Sequence, residues 1–322
     1  MPSYWPRYVT GQGPRFWPPP HTKKGRGDGE DRSCRWFDDL GDAACVRGGR
    51  ADGGAWRRAA ADGEAGRRGR HRRLRLQGRP RYGKAVGQNT GHRLHPRRQR
   101  GTRAQFRHCY DRTWGKYKKR TKPAAGNHEY YTSGARPYFD YFGRRAGKPG
   151  KGYYSYDRGS WHIVALNSNC ARAGGCGAHS PQGRWLRRNL RKHRARCTLA
   201  YFHHPLFSSG EHGNQTKTRP IWRALYRANA DVILSGHDHD YERFAPQRPD
   251  GTRNPRRGIR EFVVGTGGAE RGPFGTIQPH SQARNARTYG VLKLKLRSRS
   301  YRWRFVPVAG RIFTDSGKDR CH

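Results

Sequence analysis

Five short runs rich in β-branched and aromatic residues mark the chain beyond residue 160: "WHIVALNS" (161–168), "CTLAYFHH" (197–204), "DVILSGHDHD" (231–240), "REFVVGTGG" (260–268) and "YGVLKLKL" (289–296). Runs of this length that break off at Gly, Asn, Ser or His read as buried strands. Between them the period changes. "SPQGRWLRRNLRKHRA" sets Trp185, Leu186 and Leu190 at helical spacing behind Ser180 and Pro181, an N-cap and first-turn signal. "RPIWRALYRANA" repeats the pattern with Ile221, Trp222, Leu225 and Tyr226. Strands alternating with helices predict a layered α/β domain, and no internal repeat interrupts it.

The first hundred residues have another texture. They hold 24 Lys and Arg against 9 acids, no Ile, and eight Val, Leu or Met. Stretches such as "GRRGRHRRLRLQGRPRYGK" show neither a helical nor a strand period and offer no face to a core. The division expected is a basic segment over 1–100, a folded domain over 101–316 and a tail over 317–322. The whole chain of 322 residues is long enough for one large domain or two ordinary ones.

Composition adds less than its size suggests. A formal charge of +45 points to phosphorylated substrates, anionic surfaces or nucleic acid, and says nothing about fold. No run approaches the ~18 apolar residues of a membrane span, and the first twenty residues show no secretory h-region. Seven Cys are present. Cys170 and Cys176 bracket "ARAGG", which a disulfide can close in an oxidising compartment, with a zinc knuckle as the rival reading.

The chemistry gathers at strand ends. After "CTLAYF" come His203 and His204; after "DVILSG" come His237, Asp238 and His239; "GNHE" supplies Asn127, His128 and Glu129. Imidazoles at the carboxyl ends of α/β strands sit where such sheets place their sites, and imidazole with amide oxygen suits Zn, Fe or Mn. A single His in such a place is ordinarily a hydrogen-bonded core or surface residue. The set as a whole reads as a metal site.

Together "GNHE", "FHHP" and "GHDHDYER" resemble the metallophosphoesterase superfamily, most closely its purple-acid-phosphatase-like secreted bacterial branch, over roughly residues 101–316. The resemblance implies a β-sandwich flanked by helices. It assigns Asn127, His203 and His237 to one metal and His239 to a second, with His128 on the substrate phosphate and leaving group. His212, nine residues past His203, falls where a further phosphate-contacting His stands in the family. The implied activity is two-metal hydrolysis of a small phosphomonoester, with Fe, Zn or Mn as the metals, in a secreted protein. Glu129 is expected to orient the site, Asp238 and Asp240 to be structural or exposed, and Tyr241, Glu242 and Arg243 to pack and pair beside it. Loops around 132–152 and 206–219 are where substrate selection is expected.

Two earlier motifs of the family, each built on a Gly-Asp, have no counterpart in place. Gly27-Asp28 and Gly41-Asp42 lack a preceding strand and lie too far from Asn127. The first βαβ portion therefore reads as missing or corrupted. Translated one nucleotide later from GC-rich codons, "HRLHPRRQRG" (92–101) becomes TAFTLGDNA and "GRHRR" (69–73) becomes GDIA. An out-of-frame stretch over about residues 60–100 is thus expected, and resequencing codons 50 to 105 tests it. Two other functions compete: an inactive remnant holding one metal, and a basic nucleic-acid-binding protein on a degenerate hydrolase scaffold, though aromatic-plus-basic RNA signatures are absent.

Overall fold

A computed structural model describes residues 101–322. The N-terminal basic segment, the shifted-frame reading and the two displaced Gly-Asp motifs lie outside the described residues. The architecture within them is an α/β sandwich of two sheets with helices on one side, as expected.

The larger sheet contains β1 (Tyr154–Arg158), β2 (Trp161–Ala165), β3 (Cys197–Tyr201), β4 (Val232–Ser235), β5 (Tyr241–Phe244), β6 (Arg260–Val264) and β7 (Ser281–Asn285), in the order β1-β2-β3-β4-β6-β5-β7. Strands β2, β3, β4 and β6 are mutually parallel, and β2, β3 and β6 are buried at every position. Burial on both faces explains why apolar residues stand side by side along them instead of alternating with exposed ones. The smaller sheet, β10-β9-β8, is antiparallel, with β8 (Gly290–Arg297), β9 (Ser300–Pro307) and β10 (Ser316–Arg320). Along β9 buried Tyr301, Trp303 and Phe305 alternate with exposed Arg302 and Arg304, the period-two pattern of a half-buried strand. Strand β10 extends this sheet past residue 316, where the sequence pattern sets the start of a tail.

One core layer fills the space between the sheets, from Ile163, Leu199 and Phe262 to Leu294, Trp303 and Phe305. The opposite face of the large sheet is covered by helices. Among the N-terminal helical turns, α1 (Arg103–Gln105), a π-helical turn over Phe106–Tyr110, and α2 (Asp111–Thr113), the π-helical turn shares a separate aromatic cluster with α3 (Arg136–Phe142). Helix α4 (Pro181–Lys192) starts where Ser180 Oγ accepts the Gly183 N–H at 3.0 Å and buries Leu186 and Leu190. Gly183 is obligatory there, since a Cβ would stand 2.1 Å from the Gly177 carbonyl oxygen. Helix α5 (Arg219–Arg227) buries Ile221, Trp222 and Leu225 against the same core.

A disulfide joins Cys170 to Cys176, closing the loop the sequence singled out and setting aside the zinc knuckle. A second joins Cys197, at the start of β3, to Cys321. Beside it Asp231 accepts the backbone N–H groups of Thr198 at 2.7 Å and His322 at 2.8 Å. Burial pushes the Asp231 carboxyl up to about 6, against the lowering effect of those two bonds. Its folded value exceeds the ordinary one, so the folded chain holds this proton more tightly than the unfolded chain. That stabilisation is complete below about pH 4 and lost as the pH rises through 6, roughly 2–3 kcal/mol. Asp231→Asn is expected to flatten this limb in melts taken between pH 4 and 7; an unchanged slope would refute the assignment.

Candidate metal centre

Asn127, His203, His237 and His212 converge beyond the carboxyl ends of β3 and β4. Both Gly236 and His237 donate backbone N–H groups to the His203 carbonyl at 3.0 Å, which ties the two strand ends together. The "GNHE" turn comes in from the side. Glu129 is buried and accepts the Gly126 N–H at 2.7 Å, bending the turn back on itself, while Asn127 precedes the 3-10 helical turn His128–Tyr131. A Cβ on Gly126 would lie 3.1 Å from the His203 ring. A side chain there would crowd both the imidazole and the Glu129 carboxylate.

Three donor atoms meet at the centre. Asn127 Oδ1 lies 2.7 Å from His203 Nε2, which lies 3.0 Å from His237 Nδ1. Ligands at ~2.0–2.1 Å from one ion stand about 3 Å apart, so this set fits a single cation. His204, absent from the predicted ligands, brings a third imidazole: the ligating atoms of His203, His204 and His237 all lie within 4.8 Å of one another, and no carboxylate belongs to that group. Its Nδ1 lies 2.8 Å from Ser168 Oγ. Only its place beside His203 in "FHHP" could have marked it in the sequence.

Protonation favours lone-pair donation here. Burial, with His237, Lys217 and His212 nearby, lowers His204 to about 2; burial and the neighbouring His212 lower His237 to about 4. Both rings are neutral at ordinary pH, the state in which imidazole ligates metal.

His212 joins the group, its ring centroid 4.3 Å from that of His237. Asp238 Oδ1 accepts its backbone N–H at 2.7 Å and faces its Nδ1 at 2.9 Å, while Oδ2 takes the Ser208 hydroxyl at 2.5 Å. Asp238 is therefore structural and fully buried. Asp240 is buried too, and burial with Asp238 and Glu242 close by raises its carboxyl to about 8. Neither is exposed. His128 stacks on Tyr131 with centroids 5.2 Å apart.

His239 stands apart from the three-imidazole group. Its Nδ1–H donates to the Glu270 carbonyl oxygen at 2.6 Å, which leaves Nε2 as the nitrogen with a lone pair. Tyr241 and Arg243 both bind Asp315, at 2.6 Å through the phenol and at 2.7 and 3.1 Å through the guanidinium; Glu242 accepts from Ser209 and Ser281. These three brace the sheet beside the site, in keeping with the packing and pairing expected of them.

Residues 102–241 match the family model for calcineurin-like phosphoesterases. Over those residues the chain is similar to the metallophosphoesterase superfamily. Among its relatives are purple acid phosphatase 21 of Arabidopsis thaliana, 37% identical over 100 residues (29% of this chain, 22% of that protein), and a phosphoenolpyruvate phosphatase of Allium cepa, 27% identical over 190 residues (50% and 38%). The chain thus spans between about a fifth and two fifths of these relatives' length. A purple acid phosphatase from yellow lupin (Lupinus luteus) seeds shares the fold, with a TM-score of 0.52 at 19% identity over 62% of this chain and 38% of that one. The family implies divalent metal ions. Among the described residues, no helix is long and apolar enough to cross a membrane.

Proposed function

We propose that this chain is a secreted hydrolase of small phosphate monoesters that works with two metal ions drawn from Fe, Zn and Mn. The observation that carries the reading is the meeting of three donor atoms, with Asn127 Oδ1 2.7 Å and His237 Nδ1 3.0 Å from His203 Nε2. These three would hold one ion, with His204 beside them, and His239 Nε2 would serve the second. Bound ions supply Lewis acidity and an acidified water. The relatives named as phosphatases support the substrate class, and the two disulfides support an oxidising compartment.

The chain's own side chains do the rest. Asp238 fixes the His212 ring by taking its Nδ1–H, which turns Nε2 toward the substrate; when protonated, that nitrogen donates to a phosphate oxygen. His128, beside Asn127 and backed by Tyr131, contacts the phosphate and assists the leaving group. Among the described residues the donors gathered here are an amide oxygen and imidazoles, with no carboxylate to offset the charge that bound ions would offer the substrate. The same neutrality weakens their hold, and the activity of the chain as written is expected to be impaired relative to a chain with the family's two carboxylate motifs.

The test is hydrolysis of p-nitrophenyl phosphate by the metal-loaded chain, run beside a DNA gel shift at graded salt. Metal-dependent hydrolysis is the expected result. A salt-sensitive shift without hydrolysis would instead identify a nucleic-acid-binding protein, for which 44 basic against 14 acidic residues over 101–322 provide the charge.

A further inference from the structure

A second cluster of ligating groups lies at the other end of the large sheet. Asp157 on β1 and His162 on β2 are direct cross-strand partners, and His193 caps the carboxyl end of α4. Their ligating atoms lie within 4.8 Å of one another. The cluster is separate from the candidate metal centre. His162 sits near the amino end of β2 in register with Thr198, whereas His203 follows the carboxyl end of β3, five residues and roughly 16 Å further along the strand direction.

The hydrogen bonds around His162 decide what it can do. Its ring is fully buried, and Nε2 lies 2.8 Å from Asn189 Oδ1. The Asn189 amide is oriented by its own Nδ2, which donates to Ser155 Oγ at 2.9 Å, so Oδ1 is the atom presented to His162. An amide oxygen only accepts, and Nε2 therefore carries the ring proton. In the neutral ring, Nδ1 is left with a lone pair, and it faces Asp157 Oδ1 at 2.6 Å. Two acceptors at that separation need a cation between them, either a proton or a metal ion.

We propose that Asp157, His162 and His193 form a binding site for a divalent transition-metal ion, Zn²⁺ foremost. Two imidazoles and a carboxylate are a common ligand set for such ions, and a ligating His whose other nitrogen donates to a fixed acceptor is the usual supporting arrangement. His193 Nδ1 lies 3.6 Å from Asp157 Oδ2, and the two rings stack 4.5 Å apart at 10°. Parallel rings aim their lone pairs side by side, so His193 must turn to close on a shared ion. It is a third exposed and free to do so, while His162 stays fixed. The carboxyl end of a twelve-residue helix favours a cation, and the Asp157 carboxylate, more than half exposed, supplies an anionic ligand. Arg158 and Arg194, next in sequence to two of the ligands, repel any cation. That repulsion selects an ion bound strongly through nitrogen over Ca²⁺ or Mg²⁺. With three protein ligands, the remaining position is open to water through the exposed side of Asp157.

The test separates this site from the first. Full chains carrying His203→Ala and His237→Ala are stripped with chelator and dialysed against Zn²⁺, and bound metal is counted by plasma emission. They are expected to keep one equivalent, and to lose it when His193→Ala or Asp157→Asn is added. Both added substitutions are at partly exposed positions, and circular dichroism checks that the fold persists. With Co²⁺ in place of Zn²⁺, the visible absorption of a nitrogen- and oxygen-ligated ion should appear and vanish in step. An equivalent that survives both added substitutions, or no equivalent before they are made, overturns the proposal.

Discussion

His237→Ala is expected to lower turnover of p-nitrophenyl phosphate by more than about 100-fold, because partners that merely orient metal ligands already cost ~10–100-fold when removed. Its Nδ1 stands 3.0 Å from His203 Nε2, and its ring lies 4.5 Å from His204 and 4.3 Å from His212. One truncation would remove a ligating nitrogen and the surface on which His212 rests. Metal content at the candidate centre should fall together with kcat, while the melting temperature of the metal-free chain should move little because the side chain is only partly buried. Turnover and metal content both equal to the parent's would sink the ligand assignment.

The second large effect concerns stability. Cys197 and Cys321 are 124 residues apart, and closing a loop of that length restricts the unfolded chain by about 5 kcal/mol in the chain-entropy account, against about 2 kcal/mol for the six-residue separation of Cys170 and Cys176. Paired replacement of Cys197 and Cys321 by Ser is therefore expected to lower Tm by on the order of 10–20 °C, at ~2–4 °C per kcal/mol for a domain of this size. Replacing Cys170 and Cys176 should cost about half as much. Equal shifts for the two pairs in calorimetry would show that loop length does not govern the difference.

Much of the architecture was legible because buried parallel strands cannot hide. The runs at 161, 197, 231, 260 and 289 each contain a strand, and the two helices read from Leu186 and Leu190 and from Ile221, Trp222 and Leu225 are α4 and α5. Among the strands passed over, four-residue β5 is too short for a period to show, and the others are of two kinds. β7 ("SQARN") and β10 ("SGKDR") lie at sheet edges with almost no apolar residues, so no hydrophobic period marks them. β1 and β9 do alternate, but with Tyr, Trp and Arg in place of aliphatics. The helical region over 103–142 is built on aromatic packing among Phe106, Tyr110, Tyr138 and Phe142, and α1 and α2 are three residues each, too short for a period to show.

At the site, Asn127, His203, His237 and His212 are neighbours in the structure, and each lies at or just beyond an element whose end the sequence marks. His204 went unassigned, since nothing in "FHHP" says which ring faces outward. The burial of Asp238 and Asp240 was equally hidden: a run of alternating His and Asp looks solvent-exposed until the loop at Ser208 to His212 closes over it. The Cys197–Cys321 bridge rests on proximity between β3 and the end of β10, which is a property of the sandwich and not of any local pattern.

Among the described residues, the cluster of Asn127, His203, His204 and His237 has no carboxylate within it. Cation and phosphate at such a place are linked ligands: each supplies the charge that the other lacks, and any gain in the affinity of one must appear as an equal gain for the other. Orthophosphate is therefore expected to hold metal in the chain during dialysis that would otherwise strip it.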